Sequence, residues 1–239
     1  MSQERTEAIV LRGVDFSETS RIVTLLCPTR GRLACMAKGV RQPKSRLAAL
    51  LDTFNRLEVV YYWKDGRSVQ QLGEASLLDD FQPIKTDLDK ATYAAFPMEL
   101  ALKIAHENEP SQSLYNELIG GLERLSGWQG DVRAHTCHHA LRMLAAAGFE
   151  PALRACCLCG KEALDGAGFS FEGGVTCRSC PADRRLGAGE HRTLIEFNAP
   201  ALAPGAMASP ELFRLVGRYA SRQIEADFRS VRVIAQMLG

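Results

Sequence analysis

A chain of 239 residues, 46% hydrophobic and 24% charged, is globular and has core enough for one large unit or two to three small ones. No stretch approaches 18 apolar residues, which excludes a membrane-spanning helix, and the opening MSQERTEAIVLRG lacks the basic-then-apolar design of a secretion signal. The net charge of +1 hides an uneven distribution: residues 1–67 hold 12 Lys+Arg against 7 Asp+Glu, residues 68–131 hold 4 against 11, and residues 132–239 hold 13 against 10. A positive head joined to a negative middle implies separate surfaces for separate partners.

In chain order, five short runs predict strands: residues 7–11, 21–27, 33–37, 57–63 and 69–75. Each is rich in β-branched, Leu or aromatic residues and is bounded by turn or charged residues. Asp65-Gly66 after VVYYW is a hairpin signal. The long connection, residues 38–55, holds a short apolar helix at 47–51. Five strands with one long connection suit a small closed barrel of the OB type over residues 1–80, with an SH3-like barrel as the structural alternative.

Within this region no Asp or Glu occurs between Thr19 and Leu51, while Arg21, Arg30, Arg32, Lys38, Arg41, Lys44 and Arg46 do. Like charges repel across a ladder, so such a run costs folding energy that an anionic partner offsets. A solvated face or an edge that blocks aggregation is the plainer explanation. An OB barrel favours nucleic acid, because its groove pairs cations along the backbone with aromatic faces for bases. Phe16, Phe54, Tyr61, Tyr62 and Trp63 lie in the same unit, and alternation places Tyr61 and Trp63 on one face and Tyr62 on the other.

The run EAIVLRGVDFSETSRIVTLLCPTRGRLACMAKGVRQPKSRL resembles the N-terminal domain of the RecO family of bacterial DNA-repair and recombination mediators, above all in AKGVRQPKSRL. The resemblance implies an OB domain that binds single- and double-stranded DNA, anneals complementary strands and helps load recombinase onto coated single strands. Carried over by position, Arg12, Arg21, Lys38, Arg41, Lys44 and Arg46 are the implied DNA contacts; Arg30 and Arg32 join them from the acid-free run. Gln42 stands where a basic residue is expected. The implied partners are RecR, single-stranded-DNA-binding protein and, indirectly, RecA, in the bacterial cytoplasm at the nucleoid.

From Thr86 the period lengthens to about 3.6 residues, predicting a helix to about Asn108 that Pro97 kinks or splits. Ser111 introduces a helix over 112–125, and Asp131 one over 132–147 that Gly148 ends. These lengths predict a helical bundle domain over residues 81–239. His135 and His139 share a face, the geometry of a helical metal pair, but no HExxH glutamate or third ligand accompanies them. They and His138 are expected exposed or at the core edge, while Cys27, Cys35 and Cys137 fall on apolar positions as inert buried thiols.

Cys156-x2-Cys159, 17 residues, then Cys177-x2-Cys180 is a strong motif for one structural Zn2+. Two knuckles complete a tetrahedron, and Gly173-Gly174 joins a minimal hairpin between them. Four protein ligands leave no open position, so this knuckle, residues 154–182, staples a fold. Cys157 is a poorer alternative to Cys156. Passage ALRMLAAAGFEPALRACCLCG is similar, more loosely, to the same family's zinc-bearing members. The whole is thus an α+β chain: an N-terminal OB-fold β-barrel, then an α-helical bundle domain with an inserted four-cysteine zinc knuckle.

Ser209-Pro210 starts a last helical stretch whose Leu212, Leu215, Val216 and Tyr219 form a buried stripe, continued by Ile224, Phe228, Val231 and Ala235. Its arginines (Arg214, Arg218, Arg222, Arg229, Arg232) form a second basic stripe, an auxiliary DNA surface or, the reading preferred, the polar face. The expected function is that of a non-catalytic DNA-binding mediator. A zinc-dependent nucleic-acid-modifying enzyme, such as a deaminase, is the alternative, but it needs an H-x-E acid/base run that is absent. A zinc-ribbon transcription regulator lacks a recognition helix. No nucleotide-binding fingerprint occurs, so annealing is expected to need no ATP.

Overall fold

The computed structural model describes residues 2–43, 45–163 and 167–238, a mixed α+β chain. Its first five strands are β1 (Ser2–Asp15), β2 (Arg21–Cys27), β3 (Gly31–Ala37), β4 (Arg56–Trp63) and β5 (Val69–Asp79), with α1 (Leu47–Leu50) between β3 and β4. The sheet closes on itself in the order β1-β2-β3-β5-β4, because β1 pairs with both β2 and β4. This explains why β1 far exceeds the five residues expected: its first half serves one neighbour and its second half the other. All pairs are antiparallel except β3 with β5. Closure leaves no continuous open edge for another chain to extend.

Alternation is sharp on β3, where Gly31, Leu33, Cys35 and Ala37 are buried and the residues between them are not. With Val10, Val23, Leu25, Leu57, Val59, Tyr61 and Leu72, the side chains of Leu33, Cys35 and Ala37 fill the interior. Cys27 and Cys35 are buried thiols, as expected, and desolvation pushes Cys35 up to about 12. The register of β1 slips between Val10 and Arg12, where the Phe54–Asn55 backbone bonds Val10 on both sides (2.9 and 3.1 Å).

Residues Met1–Thr86 form one compact unit together with Ala101–Ser126. That unit therefore includes α2 (Gln82–Lys85), the end of α3 (Leu88–Ile104) and most of α4 (Gln112–Gly127). The Glu7 carboxylate accepts from Arg56 (2.7 Å) and Tyr115 (3.2 Å), and Arg56 also pairs with Glu123 at 3.2 Å. Gly31 is required at the β2–β3 turn: its φ is +58°, and a Cβ there would lie 2.3 Å from the Glu109 carbonyl oxygen.

The second unit holds Asp87–Leu100 and Gly127–Gly239. Its elements include α5 (Val132–Ala146), a small sheet of β6 (Gly168–Ser170), β7 (Gly174–Thr176) and β8 (Arg184–Arg185), then α6 (Glu190–Phe197), α7 (Pro210–Ile224) and α8 (Arg229–Met237). Asp131 caps α5 through the Arg133 amide (2.9 Å), and Ser209 caps α7 through the Leu212 amide (3.1 Å). Gly148, at φ +86°, ends α5 as expected.

Four expectations change. Of the two outcomes expected at Pro97, splitting of α3 does not occur, because Phe96, Met98 and Leu100 are buried around it and Phe96 packs edge-on against Phe213 and Phe228, which outweighs one missing bond. The short α2 and the unforeseen α6 also form, each with only a turn or two of pattern to announce it. His135, His138 and His139 are fully buried, not at an edge. The reason is α6: the carbonyl of its Phe197 lies 2.8 Å from His138 Nδ1, while His135 packs on Trp128 with ring centroids 5.3 Å apart. Finally, Glu225, at φ +50°, breaks the last helical stretch into α7 and α8.

Candidate nucleic-acid interface and metal centre

The candidate cations are read first by strand. Residues 16–20 join β1 to β2, and the chain leaving β3 passes beside them at Arg41, so Arg21, Lys38 and Arg41 gather at one end of the sheet. Arg21 and Ala37 are register partners there. Arg41 is docked on the 16–20 turn, its amide donating to Thr19 O (3.1 Å) and its guanidinium to Ser17 O (2.7 Å). Between the two guanidiniums lies Asp15, which accepts from Arg21 Nε at 2.9 Å and lies 3.3 Å from Arg41 Nε. The Arg21 hydrogen bond leads in holding the Asp15 carboxyl below its ordinary value.

Arg12, Lys38 and Arg46 are exposed and make no ion pair among the described residues. Lys44 lies outside the described residues.

Arg30 and Arg32 do not join this group. They sit at the opposite ends of β2 and β3, about 20 Å away for seven-residue strands. Arg30 forks onto Glu4 (2.8 Å) and lies over the Trp63 ring at 4.1 Å, while Tyr61 donates to the same Glu4 at 2.7 Å. Burial opposes the Glu4 charge, but the Tyr61 and Arg30 hydrogen bonds keep its carboxyl below the usual value. Arg32 donates to Leu102 O (3.1 Å) and pairs with Glu107 at 3.4 Å. The expectation of one uncompensated run is thereby corrected: acids distant in sequence, Glu4 and Glu107, fold back onto it.

The aromatic residues also divide. Tyr61 is core, Trp63 is half-buried under Arg30, and Phe54 is half-buried. Phe16 is 64% exposed and Tyr62 37%. Tyr62 belongs to an outward row that crosses all five strands in register: Val14 with Ile22, Ile22 with Met36, Met36 with Gln71, Gln71 with Tyr62 and Tyr62 with Gln3. Val14, half exposed, ends this row next to Phe16. Arg12 and Lys38 share the outward parity of their strands. Sequence reasoning missed Asp15 and this row because the predicted strand ends at Leu11, and Arg12–Asp15, all exposed, carry no apolar–polar alternation that would extend it.

In the second unit, the sulfurs of Cys156, Cys159, Cys177 and Cys180 all lie within 4.8 Å of one another, and Cys159 and Cys177 are 3.7 Å apart. A tetrahedron with metal–sulfur bonds of about 2.3 Å has edges of about 3.8 Å, so the donor set fits a metal ion. The first knuckle closes through Gly160 (φ +73°), whose amide donates to Cys156 O at 2.9 Å. The Cys177 amide leads in drawing the Cys156 thiol down to about 6, whereas neighbouring thiols, Cys159 first, push Cys180 up to about 12. Cys157 is not in the set; its sulfur faces Gly174 O at 3.8 Å. No histidine joins a metal-ligating group among the described residues.

Comparison with known proteins places these features in a family. Residues 1–81 match the family model described as "Recombination protein O N terminal", and residues 85–232 match "Recombination protein O C terminal". A DNA repair protein RecO of Anaeromyxobacter dehalogenans is 30% identical over 235 residues, covering 95% of this chain and 90% of the relative. One of Shouchella clausii is 32% identical over 179 residues, covering 74% and 68%, and one of Exiguobacterium sibiricum 34% over 176, covering 73% and 69%. Among the described residues no helix is long and apolar enough to cross a membrane.

Proposed function

The chain belongs to the RecO family, with the role in DNA repair and recombination which that membership carries, and from there we propose a recombination mediator that binds DNA and makes or breaks no covalent bond. Residues 1–80 act as an OB-type barrel for single- and double-stranded DNA, and the helical remainder, residues 81–239, of which 101–126 belong to the barrel's compact unit, carries the staple at 154–182. The protein anneals complementary strands without ATP and assists recombinase loading on coated single strands. RecR and single-stranded-DNA-binding protein are its partners and RecA an indirect one, in the cytoplasm at the nucleoid.

The observation that carries this reading is the outward row Val14–Ile22–Met36–Gln71–Tyr62 with Arg12, Lys38 and Arg41 beside it. An OB-type barrel uses this strand 2–3 surface and its flanking loops for oligonucleotides. Arg12, Lys38, Arg41 and Arg46 neutralise the sugar-phosphate chain, with Arg21 next to them. Phe16 and Tyr62 offer faces for bases, and a stacked base is worth about 1–3 kcal/mol. Arg30 and Arg32, tied to Glu4 and Glu107, contribute to the barrel's integrity instead.

The metal is one structural Zn2+ held by Cys156, Cys159, Cys177 and Cys180. Zinc bound there supplies cross-linking between the knuckles, and four thiolates leave no position for a substrate.

Two measurements test the reading. Mixing heat-denatured complementary strands with the protein, without nucleotide, should speed duplex formation; unchanged pairing kinetics would sink the mediator role. A dT oligomer should bind about 10-fold tighter than an abasic chain of equal length, and equal affinity would remove Phe16 and Tyr62 as stacking platforms.

A further inference from the structure

The Arg21–Asp15–Arg41 cluster is the one place in the basic region where, among the described residues, a single carboxylate bridges two guanidiniums. Arg41 has anchors other than that carboxylate, and the Arg21 stem has a channel of its own, although its guanidinium bonds Asp15. Arg41 is held by the Ser17 and Thr19 carbonyls through its guanidinium and its own amide. The Arg21 stem lies across Gly13, where an added Cβ would come 3.1 Å from Arg21 Cδ, so the missing side chain makes the channel in which the arginine runs. The Asp15 side chain is 44% exposed, and ion pairs at such exposure contribute little net stability. A carboxylate and a phosphodiester present the same charge and the same pair of acceptor oxygens to a guanidinium fork.

We propose that Asp15 is an internal stand-in for a DNA phosphate: the Arg21–Arg41 pair is a preformed phosphodiester site, and Asp15 competes with the nucleic acid for it. This rests on the DNA-binding reading above and adds to it a residue that weakens binding. The consequence is a mediator that takes up a strand and releases it, since each departing phosphate is replaced by the protein's own anion. Glu18 lies in the adjoining turn and is exposed, without an ion pair among the described residues, and so supplies a control of equal charge.

The test is fluorescence anisotropy with a labelled dT oligomer at several salt concentrations, using the full chain and D15N, E18Q, R21A, R41A and D15N/R21A/R41A. D15N should bind about 3- to 10-fold tighter than the parent, with a log–log salt slope steeper by about 0.7 for each phosphate newly engaged. E18Q should gain less than half as much, and the D15N gain should vanish in the triple variant. Unchanged or weaker binding by D15N, or an equal gain from E18Q, overturns the proposal, the former by making Asp15 a positioning residue and the latter by reducing the effect to net charge. If R21A and R41A also leave affinity unaltered, the phosphate-contact reading itself fails, so the two failures are separable. Thermal melting of D15N should match the parent, because an ion pair this exposed contributes little net stability.

Discussion

The two ends of strands β2 and β3 receive cations from the same acid-free run and treat them in opposite ways. At the β2–β3 turn, Arg30 is locked by a forked carboxylate, an indole face and a tyrosine that shares its acceptor, and Arg32 by a carbonyl and Glu107. At the other end Lys38 is exposed, and Arg21 and Arg41 share one exposed aspartate. The difference teaches that positive charge alone does not mark a nucleic-acid surface. What matters is how much of a cation's hydrogen-bonding capacity the fold already occupies, and whether its partner is itself replaceable by phosphate.

The sharpest way to break the comparison is at Gly31. Its replacement by Ala places a Cβ against the Glu109 and His106 carbonyls at positive φ and should lower the unfolding free energy by about 3 kcal/mol, read by urea denaturation. DNA affinity of the fraction still folded should not change. Next, Lys38 and Arg41 replaced together by Ala should weaken dT binding at least 10-fold, about 1.4 kcal/mol, with melting unaltered. A loss of stability with binding intact would reverse the roles assigned to the two ends.

Arg30→Ala should do the converse, lowering stability by about 1 kcal/mol and moving the dT affinity less than 2-fold. The smallest effect is in pH. Because the folded Glu4 carboxyl sits below its ordinary value, its contribution is present above the unfolded value, near 4.5, and is lost as pH falls through the folded one. Glu4→Gln should therefore flatten the acid limb of the stability profile, and an identical limb in both proteins would deny the Arg30–Glu4–Tyr61 knot its role. The cysteine centre is independent of this axis: Cys159→Ser should lose bound zinc by elemental analysis and lower the melting temperature, leaving dT affinity as it was.

Features built from neighbouring residues were legible in the chain. Strand β2 coincides with its expected bounds, β4 begins one residue early, and the Asp65-Gly66 turn forms with Gly66 at φ +75°. Asp131, Gly148 and Ser209-Pro210 do what their residue types require. The cysteine quartet was readable because two C-x-x-C turns each converge locally and have few other uses. The length of β1 was not readable, since a strand shared between two partners shows no sign of the second partner until the sheet closes.

The amino-acid sequence by itself determined the five barrel strands and the longer helices, the cysteine quartet and the family, because each rests on periodicity, spacing or motif within a short span. Only the tertiary structure decided which cations remain available and which histidines are interior. Charge compensation and burial are properties of whatever arrives in space. Glu4 reaches Arg30 across 26 residues, Glu107 reaches Arg32 across 75, and Phe197 covers His138 across 59. An acid-free window guarantees nothing about the acids that folding will bring to it.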